Sequence, residues 1–227
     1  MREANAGSVF VGLLIRDGMG MWRRRGELLS PLLFALMVAT LFPLALGPEA
    51  AKLSRVASGV CWVIVLLANQ LSLEAMFRSD VEDGSLDAML VSGQSLTLMM
   101  SAKILLHWLT TGLPLLLMAP VIALSLGMPK VGLTTLILTL LLGTPQLSVI
   151  GACAAGLTAS LRRSGILLAL IVLPLAVPVL IFGAGAVELV LTGGQATQPL
   201  LLLAAGAVLS LAFGPLVCAA SVRMSAS

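Results

Sequence analysis

Charge is scarce in this chain, and groups able to do chemistry are scarcer. Asp, Glu, Lys and Arg together make up 10% of 227 residues, against 59% hydrophobic, with a mean hydropathy of +1.10. So little polar material cannot cover a soluble globule. Histidine occurs once, as His107. Cys61, Cys153 and Cys218 form no CxxC pair and have no nearby histidine, so neither a zinc site nor a disulfide frame is indicated. No Gly-x-x-x-x-Gly-Lys-Ser/Thr loop is present to hold ATP phosphates, and no Gly-x-Ser-x-Gly elbow to raise a serine nucleophile. Hardly an aromatic residue besides Trp22 accompanies the basic ones, which excludes a nucleic-acid surface.

What the chain does have is long apolar runs. A bilayer core of roughly 30 Å needs about 20 apolar residues at about 1.5 Å each. Six stretches meet that length, near 28–46, 56–74, 102–126, 131–158, 165–187 and 199–221. The expected class is an all-α integral membrane protein, with a leader over 1–27, a six-helix domain over 28–223 and a tail over 224–227. The first run follows a 27-residue basic leader and precedes five more spans, so it is not a cleavable signal peptide. Within the leader, Val9, Phe10, Leu13 and Leu14 recur at helical spacing ahead of Met21, Trp22 and Arg23-Arg24-Arg25, the pattern of a helix lying in the headgroup region.

With the N-terminus inside, ten basic residues fall on cytoplasmic segments and three (Lys52, Arg55, Lys130) on outer ones. That bias places both termini in the cytoplasm. Prolines interrupt the spans at Pro114, Pro145, Pro174 and Pro178, with Gly143 beside one of them. Such residues free backbone carbonyls and bend the axis, so these five are read as bend or transmission positions. Small residues recur every fourth position at Gly151 and Ala155, at Ala152 and Gly156, and at Gly206, Ser210 and Gly214, letting backbones approach. The interiors of the last three spans contain no Asp, Glu, Lys or Arg, which disfavours an ion-coupled carrier. Lys103 is placed to snorkel to the headgroups. His107 and Trp108 are candidate functional residues, the histidine read either as a buried hydrogen-bonding group or as half of a ligand pair.

Five of the ten acidic residues (Glu74, Asp80, Glu82, Asp83, Asp87) crowd one short segment. Asp80-x-x-Asp83-Gly-x-x-Asp87 begins like the two-metal signature of membrane phosphatidyltransferases. No aspartate follows Asp87, however, so the second metal wall is missing, and no metal or catalytic residue is assigned. A docking element fits better. Gly84 ends one helix, Ser85 suits an N-cap, Asp87 sits in the first turn, and Leu86, Met89 and Leu90 share a face before Gly93. The expectation is a short cytoplasmic helix over 84–92 whose apolar knobs enter a groove on a soluble partner, with Asp80, Glu82 and Asp83 at its acidic start.

Glu82-Asp-Gly-Ser-Leu-Asp87 followed by Met89-Leu90 resembles the Glu-x-Gly-(Thr/Ser)-Leu-Glu-x-Leu-Leu coupling helix of ABC-2-type permeases. More narrowly, the chain resembles the cytochrome c maturation protein B family, also called haem exporter protein B. The resemblance rests on Leu41-Phe-Pro-Leu-Ala-Leu-Gly-Pro-Glu49, Leu73-Glu-Ala-Met-Phe-Arg-Ser-Asp80, His107-Trp-Leu-Thr-Thr-Gly-Leu-Pro-Leu115, Leu141-Leu-Gly-Thr-Pro145 and Val172-Leu-Pro-Leu-Ala-Val-Pro-Val-Leu180. It implies a permease subunit of the bacterial inner membrane that is not itself an enzyme and binds no cofactor directly. The implied partners are an ATP-binding subunit (maturation protein A), a haem-handling membrane subunit (maturation protein C), a small single-span subunit (maturation protein D) and, indirectly, the periplasmic haem chaperone (maturation protein E). ATP would act at the first and haem at the second. The implied task is haem delivery or release of the loaded chaperone; the alternatives are another ABC-2-type exporter or a stand-alone channel or carrier.

Overall fold

Apolar stretches that leave no water for their backbone groups have the helix as their local solution in lipid, and helices are the regular structure of the described residues. The computed structural model describes residues 6–23, 25–47, 49–161 and 164–225. Arg2, Arg24, Arg162 and Arg163, which weigh in the orientation argument, lie outside them, as do the side chains of Trp22, Arg23 and Arg25.

The order is α1 (Ala6–Arg23), α2 (Arg25–Leu46), α3 (Ala50–Leu73), α4 (Arg78–Glu82), α5 (Ser85–Val91), α6 (Leu96–His107), a π-helical turn (Trp108–Gly112), α7 (Leu113–Ser125), α8 (Lys130–Thr158), α9 (Ser164–Leu191) and α10 (Thr197–Ser225). Six of these stretches are long and apolar enough to cross a membrane: Leu28–Leu46, Lys52–Glu82, Leu96–Ser125, Lys130–Thr158, Gly165–Leu191 and Thr197–Ser225. The third starts six residues earlier than the hydropathy alone places it, because the Ser95 hydroxyl accepts the Leu98 N–H at 3.4 Å and caps the helix there. Lys103 and His107 therefore sit well inside the span. The last helix runs to Ser225, through the start of the expected tail.

Helices α3 and α8 are central: 61% of each spanning window is buried, against 17% for α2 and α10. Lipid surrounds the outer helices, so their exposed Leu, Ile and Val need no partner, and packing more than water exclusion holds the bundle. Trp62 of α3 is fully buried, wedged between Gly143 of α8 and Gly183 of α9, where a Cβ would collide with its indole ring. Helices α8 and α10 approach through the small residues noted in the sequence. A Cβ on Gly156 would stand 2.8 Å from Val222 Cγ2, and one on Gly206 2.6 Å from Gln146 Oε1. Gln146 Nε2 donates across this seam to the Leu203 carbonyl at 2.9 Å.

The leader forms the expected helix, and it also packs on the bundle. Val9 and Leu13 of α1 pack against a buried cluster that includes Leu73, Phe77, Leu86, Met100 and Ile104, so one face of α1 is part of the bundle. Val11, Ile15 and Met19 on the other face are more than half exposed. The turn after His107 departs from a simple proline kink. Leu113 N–H reaches the Trp108 carbonyl, five residues back, and Pro114, which has no N–H to continue the ladder, follows as the second residue of α7. Pro145, Pro174 and Pro178 lie inside α8 and α9.

Candidate functional site

Where α1, α4, α5 and α6 meet, two acids and two bases come together in a mostly apolar setting. Lys103 Nζ donates to Asp80 Oδ2 at 2.5 Å and to Asp17 Oδ2 at 2.9 Å. Arg16 donates to Asp80 Oδ1 at 3.0 Å and to Asp17 Oδ1 at 2.7 Å. The Lys103 and Asp80 side chains are 5% and 4% exposed. Ion pairs this buried persist only when charges balance and lone pairs are used, and both conditions hold. The remaining reach of Asp80 Oδ1 is taken by the Ser85 hydroxyl, donated at 2.9 Å from α5, and Lys103 Nζ lies 5.5 Å from the centroid of the Phe77 ring.

Snorkelling therefore gives way to pairing: Lys103 points at carboxylates, since a partner 86 residues earlier is delivered by α1. Asp80, expected at the acidic start of a docking helix, belongs instead to this buried network. Arg16 and Asp17 escaped the sequence reading. A signal for them existed, because Asp17 falls on the same helical stripe as Phe10, Leu13, Leu14 and Met21. An acid on an apolar stripe needs a buried base. Burial works against the Arg16 charge, and the neighbouring Asp17 carboxylate more than offsets it, holding the guanidinium above its ordinary value.

Helix α5 is framed by Gly84 at φ 71° and Gly93 at φ 69°, left-handed positions that favour glycine. Gly84 is the N-cap, and Ser85, expected there, is the first helical residue because its hydroxyl is committed to Asp80. Its N–H goes to Asp83 Oδ1 at 2.9 Å. The Ser85 hydroxyl close by and the Ser85 N–H bonded to it hold the Asp83 carboxyl below the usual carboxylate range. The apolar face of α5 also turns out differently. Leu86 and Met89 are 6% and 7% exposed and pack into the chain's own cluster with Leu73, Phe77 and Ile104; Leu90 packs beside them. The face left open consists of Asp87, Ala88 and Val91, the last 84% exposed, with Glu82 and Asp83 exposed just ahead of the helix.

One turn beyond Lys103, His107 is fully enclosed. Ser72 Oγ lies 2.8 Å from its Nε2 and Ser148 Oγ 3.1 Å from its Nδ1. With the Ser72 hydroxyl donating to the Asn69 carbonyl at 2.9 Å, the tautomer that serves both contacts is the one in which Nε2–H donates to Ser72 and Nδ1 accepts from Ser148. The ring thus ties α6 to α3 and α8 with both of its nitrogens partnered. Trp108 Nε1 adds a bond to Thr144 Oγ1 at 3.0 Å. A cavity of about 270 Å³ runs between the two clusters, reaching Arg16, Asp17, Asp80, Lys103, His107 and Thr111. The structure brings Asp80, Ser85, His107 and Trp108 into one continuous region, while Gly143 lies against Trp62 and Val179. Among the described residues no group of three or more His, Cys, Asp or Glu stands where it could hold a metal ion.

The CcmB protein family model matches residues 8–225. Over 218 residues the chain is 48% identical to heme exporter protein B of Pseudomonas aeruginosa, covering 96% of this chain and 98% of that one. It is 44% identical over 221 residues to heme exporter protein B of Haemophilus influenzae, with 96% and 98% covered. With the same-named protein of Paracoccus denitrificans the identity is 46% over 213 residues, 94% and 98% of the two chains. A match of this length and depth, on a six-span helical frame, makes the chain a member of the CcmB family.

Proposed function

We propose that this protein is the permease subunit of an ABC-type haem-export system and that it works through a separate ATP-binding subunit docked on α5. The observation that carries the reading is the construction of α5. Its apolar face anchors it to the bundle through Leu86 and Met89, while its acidic edge and Val91 stay open. A helix held this way can receive a push from outside and pass it inward, which a solvated loop cannot. The names of the relatives supply haem as the exported compound, and the bias of basic residues supports a cytoplasmic α5 with both termini on that side of a bacterial inner membrane. A haem-handling membrane protein, a small single-span protein and a periplasmic haem chaperone complete the proposed assembly.

Docking on the open face makes Asp87→Lys and Val91→Asp the informative changes. Both variants should insert and fold normally yet lose co-purification with the ATP-binding subunit. Retained binding in the double variant overturns the docking role. Transport of haem by the purified chain in liposomes without nucleotide overturns the motor-driven reading as a whole.

A further inference from the structure

The ion network and the histidine cluster form one unbroken line from α5 to the two central helices. Ser85 holds Asp80, Asp80 holds Lys103, and Lys103 stands one turn before His107 on α6. His107 then grips Ser72 of α3 and Ser148 of α8 immediately ahead of the π-turn. We infer that Asp80 and Lys103 are positioning residues that carry a displacement of α5 to the 107–112 turn, with Arg16 and Asp17 making α1 the clamp that keeps α4 and α6 in register.

Two physical points favour transmission over plain reinforcement. The buried pair at the centre of this charge-balanced quartet, Asp80 and Lys103, is not needed for stability, since replacing both partners of such a pair with neutral groups is often neutral or stabilising. What the quartet does supply is direction: charges at 2.5–3.0 Å define how α1, α4 and α6 sit on one another far more narrowly than apolar contacts do. Room to move is present too. Close-packed interiors resist sliding, but this network borders the cavity of about 270 Å³ along its Arg16, Asp17 and Lys103 side. Thr111 of the π-turn, 5% exposed, faces the same space.

This inference rests on the docking reading, and the test separates the two. The assembled complex with its ATP-binding subunit, in lipid nanodiscs, is followed by hydrogen–deuterium exchange with and without ATP. In the unaltered complex ATP should change exchange both at 85–91 and at 107–112. Asp80→Asn and Lys103→Met, each alone, leave a buried charge unmatched and should lower the thermal midpoint. The double variant Asp80→Asn/Lys103→Met should regain that midpoint and keep the response at 85–91, while the response at 107–112 falls about fivefold or more. Arg16→Gln/Asp17→Asn, which stays charge-balanced and removes only the clamp, should weaken the 107–112 response in the same way. Full responses at 107–112 in either folded double variant overturn the inference and leave docking standing. No response at 85–91 in the unaltered complex overturns docking, and this inference with it.

Discussion

Two glycines on α9, two residues apart, should respond in opposite ways to the same methyl group. At Gly183 a Cβ would run into three atoms of the six-membered ring of Trp62, with Cη2 at 2.7 Å. Trp62 cannot retreat, being fully buried with Gly143 against its other side. At Gly185 a Cβ would meet nothing within 4 Å. Alanine improves helix propensity by about 1 kcal/mol at both positions, so that gain cancels in the comparison. The difference is the overpacking cost, about 1–3 kcal/mol. Taking about 2 kcal/mol and 2–4 °C per kcal/mol for a chain of this size, the midpoints of Gly183→Ala and Gly185→Ala should differ by about 4–8 °C. Buried Cys61 and Cys218, 1% and 0% exposed, provide the readout, because a thiol-reactive fluorophore reaches them only on unfolding. Phenylalanine lacks the clashing ring, so Trp62→Phe/Gly183→Ala should lose less than the two single changes added together. Coincident midpoints for the two glycine variants, or strict additivity in the double, would refute the wedge.

On α5, Leu86→Ala should cost about 2–5 kcal/mol, as for other buried leucines, whereas Val91→Ala should stay within about 0.5 kcal/mol; thermal unfolding in detergent separates them. His107→Ala removes the partner of the Ser148 hydroxyl and one of the two partners of Ser72 and should destabilise by about 1–3 kcal/mol, while His107→Gln, able to bond one of them, should recover part of that loss in the same assay. The Asp83 carboxyl is lowered by the Ser85 hydroxyl and N–H. Its support of the α4–α5 turn is therefore complete above the ordinary carboxylate pKa and fades as pH falls through the lowered value. Protection of the Ser85 amide, its exchange rate taken relative to that of a free amide at the same pH, should fall only below the usual carboxylate range; a fall above it contradicts the bond to Asp83.

The spans were readable because an uncharged apolar run of about 20 residues matches the thickness of a bilayer core and little else, and α5 because Gly84 and Gly93 punctuate an acidic run. The direction in which α5 faces was not readable. Leu86, Met89 and Leu90 have the same spacing whether they meet a partner or the chain's own Leu73 and Phe77, and only the tertiary fold decides. Lys103 misled for a related reason: a lone lysine near a span end usually reaches water, and its acid partners are 23 and 86 residues away in sequence. Hydrogen bonds such as those of His107 with Ser72 and Ser148 join three helices, so no local pattern announces them.

The π-turn has a geometric consequence for the span that contains it. At 100° per residue, the buried side of α6, marked by Met100, Lys103 and His107, and the buried side of α7, marked by Leu115, Ala119 and Ile122, would point roughly a quarter of a revolution apart on a continuous α-helix. The wider turn at Trp108–Gly112 swallows one surplus residue and brings the two sides back to within a small angle of each other. A single rod can thus present charge to α1 and α4 at one end and hydrocarbon to α2 and α3 at the other, with both halves looking inward.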